Sequence, residues 1–227
     1  MTETLTRRSG YAEATGRPAV MATRGMVATS HYLASAAGLA MLQRGGSAVD
    51  ACIAANATLC VTYGHMAGLG GDCFAQVWDP NARQVQALNG SGRVGEHVTI
   101  DAYRSRGHDA IPVRGPLAAI TVPGAVDAWA ELHARFGKLE WSELFEPAIR
   151  YSAEGFPISR KFRDFIAQYA DTLRQFEATA RVFLRRDSAP REGDLLVLHA
   201  AAREQHVARE REARDFGRLR TLRRGDQ

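Results

Sequence analysis

Two alanine-rich segments separated by a pair of glycines constrain the fold of this 227-residue chain more than any other feature. In the first segment, HYLASAAGLAMLQR, apolar residues recur at helical spacing behind Ser30, a residue type that commonly caps helices. Gly45 and Gly46 are predicted to end this helix. The second segment, SAVDACIAANATLCVTY, opens with the capping-box pair Ser47 and Asp50 and is apolar on nearly every side. The pattern predicts two closely packed, buried helices lying against a flat partner.

The flat partner is predicted to follow the motif GLGGDCF. The segments CFAQVWD and QVQALNG have the pattern of two strands joined by the turn DPNAR, which predicts a hairpin. The glycines of the motif are predicted to allow close backbone packing where the first strand begins.

Downstream of the hairpin, the pattern predicts mainly helices. A short helix is expected to begin near Thr99–Asp101, followed by a short strand over 118–122 and a helix over 124–135. The segment WSELFEPAIRYSAE is predicted to form one helix that ends at Gly155. One or two further amphipathic helices are predicted from ISRKFRDFIAQYADTLRQFEATARVFL.

Composition places the chain among globular proteins and excludes several classes of function. Its net charge of +4 lies mostly in residues 185–227, where 11 arginines accompany eight acidic residues. Because the rest of the chain is close to neutral, we expect no nucleic-acid partner. No signal-peptide pattern and no apolar run of about 18 residues occurs. We therefore expect a cytoplasmic protein that does not cross a membrane.

The three cysteines indicate neither a disulfide framework nor a metal site. Cys52 and Cys60 lie two turns apart on one predicted helix, and Cys73 opens a predicted strand. All three are interpreted as small buried thiols. No Cys/His ligand spacing occurs, so no metal and no cofactor are expected.

The spacing around the glycine motif also argues against three kinds of catalytic loop. No lysine follows Gly68–Gly71, Cys73 stands where a dinucleotide fingerprint needs its third glycine, and Asp72 would repel a phosphate. Ser91 lies in GSGR rather than in the GxSxG elbow of serine hydrolases. His65 is interpreted as a structural loop histidine, with a catalytic role as the alternative.

Several segments, taken in their order and spacing, resemble one protein family. They are MVATSHYLASAAGLAMLQRGGSAVDACIAANATLCV, HMAGLGGDCF, NGSGR, TVPGAVDAW and APREGDLLV. Together they are similar to the N-terminal, large-subunit part of gamma-glutamyltranspeptidase-type proteins, over about Arg24 to Val197. The motifs GLGGD and NGSGR most resemble those of the branch that contains acylases and oxamate amidohydrolases.

The resemblance implies the fold of an N-terminal-nucleophile hydrolase. This is an α+β fold, an αββα sandwich, and it is expected to be incomplete and helix-rich in this chain. The resemblance also implies a precursor that cleaves itself and frees an N-terminal threonine, whose amine can act as base for its own hydroxyl. The threonine attacks an amide and passes the acyl group to water or an amine, while backbone donors stabilise the oxyanion.

One substrate-binding residue is carried over from the family. Arg93 in NGSGR falls where family members hold the substrate's α-carboxylate, and a guanidinium matches a carboxylate in a bidentate pair. A solvated loop arginine is the alternative. The expected substrate is a small-molecule amide that carries a carboxylate. The residues expected to frame its pocket are Gly70, Gly71, Asp72, Gly90, Ser91 and Gly92.

The resemblance implies that the nucleophilic threonine lies beyond the last residue of this chain. We therefore expect no catalytic residue here, no amide hydrolysis by this chain alone, and a missing small-subunit segment or chain as partner. The expected organisation is a poorly ordered segment 1–23, a family-like region 24–197 and an Arg/Ala/Glu-rich tail 198–227. A reading-frame shift is one hypothesis for the tail. Unpaired sheet edges and exposed apolar faces predict poor solubility.

Two classes of function stay open at this stage. The chain is either a truncated or split member of an amidohydrolase and gamma-glutamyltransferase family, or a non-catalytic binding protein on the same scaffold. The intact Arg93 and its flanking glycines favour the first.

Overall fold

The computed structural model describes residues 19–113 and 115–198, where helices surround two small antiparallel sheets. The helices, in chain order, are α1 (Tyr32–Gln43), α2 (Ala48–Thr62), α3 (Ile100–Arg104), α4 (Ala125–Phe136), α5 (Trp141–Leu144), α6 (Glu146–Glu154), α7 (Arg160–Gln168), α8 (Ala170–Arg174) and α9 (Glu177–Phe183). The strands are β1 (Cys73–Asp79), β2 (Gln84–Gly90), β3 (Phe156–Pro157) and β4 (Leu195–Leu196). This mixture confirms an α+β fold that is rich in helix. Most of the predicted N-terminal segment 1–23 and nearly all of the tail 198–227 lie outside the described residues.

The two alanine-rich helices form as predicted, with one change at the first cap. The N-cap of α1 is His31 rather than Ser30, because the Nδ1 atom of His31 accepts the N–H of Leu33 at 3.3 Å. Gly45, with φ of 89°, ends α1 in the left-handed conformation that suits glycine. In the capping box of α2, the N–H of Asp50 donates to Ser47 Oγ at 3.1 Å and the N–H of Ser47 donates to Asp50 Oδ2 at 2.7 Å.

Helices α1 and α2 approach each other closely because their contact residues are small. A Cβ atom on Gly38 would lie 2.8 Å from the carbonyl oxygen of Ala51, too close for any side chain. Cys52 contradicts the prediction of three buried thiols, since the side of α2 that carries it is left uncovered by the described residues. Cys60 is half-buried, and burial raises its pKa to about 12.

The predicted hairpin is confirmed. Strands β1 and β2 pair antiparallel, with Cys73 opposite Gly90 and Asp79 opposite Gln84. The inward-facing residues of β1, including Ala75 and Val77, pack against the core. The helix that packs most closely on both strands is α4, whereas the sequence indicated the α1–α2 pair.

Three predicted elements differ from the structure. Residues 118–122 form no strand; a short 3₁₀ helix, Pro116–Ala118, precedes one isolated bridge between Val94 and Thr121. The single helix predicted over 141–154 is divided into α5 and α6. Pro147 lies in the first turn of α6 and lacks the backbone N–H that would continue α5. The one or two amphipathic helices predicted after 158 are three, α7 to α9.

Other boundaries agree with the predictions. Helix α3 follows Thr99, whose hydroxyl caps it, α4 follows Gly124, and α6 ends at Gly155 with φ of 94°. Strands β3 and β4 were not predicted, because two-residue strands carry no readable periodicity.

The core centres on α2, which contacts α1, α4, α5 and α6. Large side chains from the later helices complete it. The rings of Trp141 and Phe145 meet edge to face at 4.8 Å, and Trp129 and Phe156 are fully buried.

A buried carboxylate ties the beginning of α2 to the loop between α4 and α5. Asp50 is 0% exposed, and its Oδ2 accepts N–H groups from Ser47 at 2.7 Å, Lys138 at 2.9 Å and Leu139 at 3.3 Å. His133 Nε2 lies 3.8 Å from Oδ1. One buried side chain therefore accepts hydrogen bonds from two parts of the chain that are far apart in sequence.

Substitution Asp50→Ala is expected to lower the free energy of unfolding by about 3 kcal/mol, because it leaves three partly buried N–H groups without their acceptor. Urea unfolding at pH 7 measures this change. Asp109→Ala, at an exposed loop position, is the matched control and should stay within about 0.5 kcal/mol of the unsubstituted chain. Equal losses in the two variants would contradict the role assigned to Asp50.

Candidate functional site

Three separate segments of the chain meet around Arg93. Residues 93–95 run antiparallel to 120–122, where the N–H of Val122 donates to the Arg93 carbonyl at 2.9 Å. The N–H of Gly95 donates to the Ile120 carbonyl at 3.1 Å. The third segment, 70–72, directly precedes β1. The backbone of Arg93 is therefore held at the junction of the hairpin and the segment that leads into α4.

Glycines make this junction possible. A Cβ atom on Gly92 would lie 1.5 Å from the carbonyl oxygen of Val122, and one on Gly124 would lie 2.3 Å from the Gly90 oxygen. A Cβ atom on Gly90 would lie 2.4 Å from the Cβ of Ala128 on α4. Backbone touches backbone at these points, so no larger residue fits without displacement. Gly124 was not among the predicted pocket residues, although the Pro-Gly break marked its position.

Gly71 and Asp72 connect the third segment to the other two. The Gly71 carbonyl accepts the N–H groups of Gly124 at 3.1 Å and Ala125 at 3.0 Å, and so caps the beginning of α4. Asp72 Oδ1 accepts the Thr121 hydroxyl at 3.3 Å and the N–H of Gly92 at 3.4 Å. Asp72 thus links both segments that hold Arg93. The sequence offered no signal for Thr121.

The remaining glycines of GLGGD do not have the predicted role. A Cβ atom on Gly68 or on Gly70 would meet nothing within 4 Å, so the described residues leave open space around both. A Cβ atom on Gly71 would make only ordinary contact, 3.4 Å from the Gly68 oxygen. The prediction of close backbone packing is therefore wrong for Gly68 and Gly70. The close contacts occur instead at Gly90, Gly92 and Gly124.

The side chain of Arg93 is exposed, and among the described residues its guanidinium has no hydrogen-bond or ion-pair partner. Ser91 is exposed beside it, and its N–H donates to Asn89 Oδ1 at 2.9 Å. A free guanidinium on a fixed backbone is suited to pairing with a carboxylate through two parallel N–H bonds.

An apolar cleft of about 450 Å³ lies beside the segment that carries Arg93. Its walls include Val94 and Ile120 from the paired segments and Ile100 and Tyr103 from α3. The Tyr103 hydroxyl donates to the Leu117 carbonyl at 2.7 Å, which fixes that wall.

The described residues contain no group of three or more His, Cys, Asp or Glu side chains placed to hold a metal ion. None of the described helices has the length and apolar character needed to cross a bilayer.

The comparison with known families decides the kinship of this chain. The family model for gamma-glutamyltranspeptidase matches residues 34–216. The chain belongs to the gamma-glutamyltranspeptidase family. The resemblance inferred from the motifs is confirmed, whereas the domain boundaries at residues 23 and 197 stay predictions.

Relatives of this family member include hydrolases of the expected branch. It is 43% identical to the glutathione hydrolase-like YwrD proenzyme of Bacillus subtilis over 78% of this chain and 34% of that protein. It is 37% identical to the oxamate amidohydrolase proenzyme of Klebsiella pneumoniae over 76% of this chain and 33% of that protein. The chain therefore spans about a third of the length of the curated relatives it matches.

Solved structures confirm the N-terminal-nucleophile type of fold. Cephalosporin acylase from Bacillus halodurans superposes with a TM-score of 0.80 at 34% identity, over 88% of this chain and 38% of that one. Helicobacter pylori gamma-glutamyltranspeptidase superposes with a TM-score of 0.79 at 26% identity, over 88% of this chain and 58% of that one.

Substitution Gly92→Ala is expected to destabilise this family member by about 2 kcal/mol or more, because the added methyl overlaps the Val122 carbonyl and forces the backbones apart. Gly70→Ala is the matched control, since its methyl enters open space among the described residues. Thermal unfolding of the two variants measures the difference. If Gly92→Ala unfolds at the same temperature as Gly70→Ala, the two backbones are not in contact.

Proposed function

We propose that this chain contributes the carboxylate-binding side of the active site of an amide hydrolase or acyl transferase. The observation that carries the proposal is Arg93, whose guanidinium is exposed while its backbone is bonded to Val122. A structural arginine is commonly held by a carboxylate or carbonyl of its own protein. The described residues provide none for Arg93, so its bonding capacity is available to a ligand.

The pocket frame gives Arg93 its position. The backbone at Gly92 lies directly against the Val122 carbonyl, and the Asp72 carboxylate accepts hydrogen bonds from both Gly92 and Thr121. A carboxylate bound by Arg93 would therefore be held at a fixed distance from α4 and the hairpin. Such positioning is what lets binding energy orient a substrate for reaction.

The catalytic threonine is proposed to come from sequence outside residues 1–227, on the same precursor or on a second chain. The names of the relatives support this proposal, because YwrD and the oxamate amidohydrolase are both proenzymes and this chain spans a third of each. The proposed substrate is a small amide that also carries a carboxylate. Oxamate and gamma-glutamyl amides both meet that description.

The outer face of the hairpin is the proposed contact surface for the small-subunit segment. Phe74, Trp78 and Val85 point outward and are 69%, 59% and 58% exposed. Alternate residues of β1 point to the core, so Phe74, Gln76 and Trp78 share the outward face, on which the two aromatic rings are the largest side chains. A second sheet laid on this face would complete the αββα sandwich.

Substitution Arg93→Ala is expected to weaken binding of gamma-glutamyl anilide or oxamate by about tenfold or more, because hydrogen bonds between charged groups contribute about 1.5–3 kcal/mol. Titration calorimetry on the 227-residue chain measures the affinity, and Arg93→Lys should retain part of it. Arg181→Ala, at an exposed position of α9, is the matched control.

The same preparations distinguish the two functional hypotheses. We expect no turnover of either amide by the chain alone. Turnover by the purified chain would contradict an external nucleophile. Binding that is unaffected by Arg93→Ala would contradict the carboxylate site and favour a non-catalytic binding protein.

The double substitution Phe74→Ser and Trp78→Ser is expected to reduce self-association of the chain, because it removes the largest exposed side chains of the hairpin face. Sedimentation velocity measures the change. Tyr32→Ser, which removes a 63% exposed ring from α1, is the control and should leave self-association unchanged. Equal effects would show that the hairpin face contributes no more to self-association than the exposed ring of α1 does.

A further inference from the structure

His31 and His65 stand out among the polar groups that the proposed active site does not use. His31 is 5% exposed, and its buried Nε2 has no hydrogen-bond partner among the described residues. The same residues provide no partner for the two buried ring nitrogens of His65. Buried polar atoms are normally hydrogen-bonded, so three unpaired nitrogens on two histidines require an explanation.

His31 holds its place only as a neutral ring. Its Nδ1 accepts the N–H of Leu33 and so caps α1, which requires a nitrogen without a proton. Protonation makes both ring nitrogens donors and removes this cap. It also sets a positive charge at the N-terminus of a helix, where the helix dipole repels it.

His65 connects the end of α2 to α7 through ring contacts. Its ring stacks on Phe162 at 4.8 Å, lies 5.0 Å from the ring of Phe165, and meets Tyr63 edge to face at 4.3 Å. Phe162 is itself a core residue, 2% exposed. The packing of α7 against the segment that follows α2 therefore includes a titratable ring.

The charges around the two rings oppose protonation. Burial lowers the pKa of His65, and positive charge on Lys161 of α7 and on His31 lowers it further. Burial also lowers the pKa of His31, whose ring stacks on Tyr32 at 4.8 Å. The aromatic faces attract a cation, but no carboxylate among the described residues raises the pKa of either ring. Burial, together with the like charges near His65, therefore outweighs the attraction of the aromatic faces, and the pKa of both rings is lowered.

We propose that His31 and His65 form an acid-sensitive latch: at neutral pH His65 holds α7 against the segment that follows α2 and His31 caps α1, and both contacts are released when the rings take up protons. Above about pH 6.5, the ordinary pKa of histidine, both rings are neutral in the folded and unfolded chain and the latch has no pH dependence. Below that value the unfolded chain binds protons first, because the pKa of each folded ring is lowered. Stability is therefore lost as the pH falls from about 6.5 toward the folded pKa values.

The test measures unfolding of the full 227-residue chain in urea between pH 7.5 and 5.5, above the range where Asp and Glu ordinarily titrate. The unfolding equilibrium constant should rise by at most about tenfold per pH unit for each histidine. Hydrogen exchange, corrected for the intrinsic pH effect, should accelerate in residues 160–168 and in the first turn of α1 before it accelerates in α4.

Two sets of variants decide the outcome. His31→Asn with His65→Phe keeps a capping residue and a ring but removes both titrations, so the pH dependence should flatten. His97→Gln, at an exposed histidine, is the control and should behave as the unsubstituted chain. If the double variant does not fold at pH 7.5, a substitution of the exposed Lys161 replaces it in the test. Lys161→Gln should make the acid-induced loss smaller, because it raises the pKa of folded His65.

A stability that is constant from pH 7.5 to 5.5 would overturn the latch. So would an acid-induced loss of unchanged size in the double variant or in Lys161→Gln.

Discussion

The buried carboxylate of Asp50 is the interaction on which the arrangement of the helices depends. It accepts N–H groups from the beginning of α2 and from the loop between α4 and α5, which lie about ninety residues apart in sequence. A charge without such partners would be very costly at this depth. Its three donors therefore fix where the chain leaves the end of α4, and α4 in turn packs against the hairpin.

Close backbone contacts connect α4 and the hairpin to the segments around Arg93. Gly90 and Gly124 let α4 and the end of β2 touch, and Gly92 places the Arg93 backbone directly against Val122. The guanidinium itself stays exposed on this fixed support. The outer face of the hairpin differs from it, because that face exposes the large apolar side chains of Phe74, Trp78 and Val85.

Local signals predicted the elements that depend on local physics. The capping box of Ser47 and Asp50, the hairpin and the end of α6 at Gly155 all follow from residues a few positions apart. The division of the predicted helix over 141–154 also had a local cause, the proline in the first turn of α6, whereas other errors arose where distant residues decide. The bridge of Val94 with Thr121 and the pairing of β3 with β4 join segments separated by dozens of residues, and neither carries a period of its own.

By itself, the sequence determined the two alanine-rich helices, the hairpin, the kinship of the chain and the position of Arg93 as the candidate carboxylate anchor. Only the tertiary structure decided which glycines are indispensable, because that depends on which backbone lies opposite each one. It also decided that Thr121 joins Asp72 and that His65 packs on α7. A spacing rule describes neighbours along one element, whereas these contacts arise from how separate elements pack against each other.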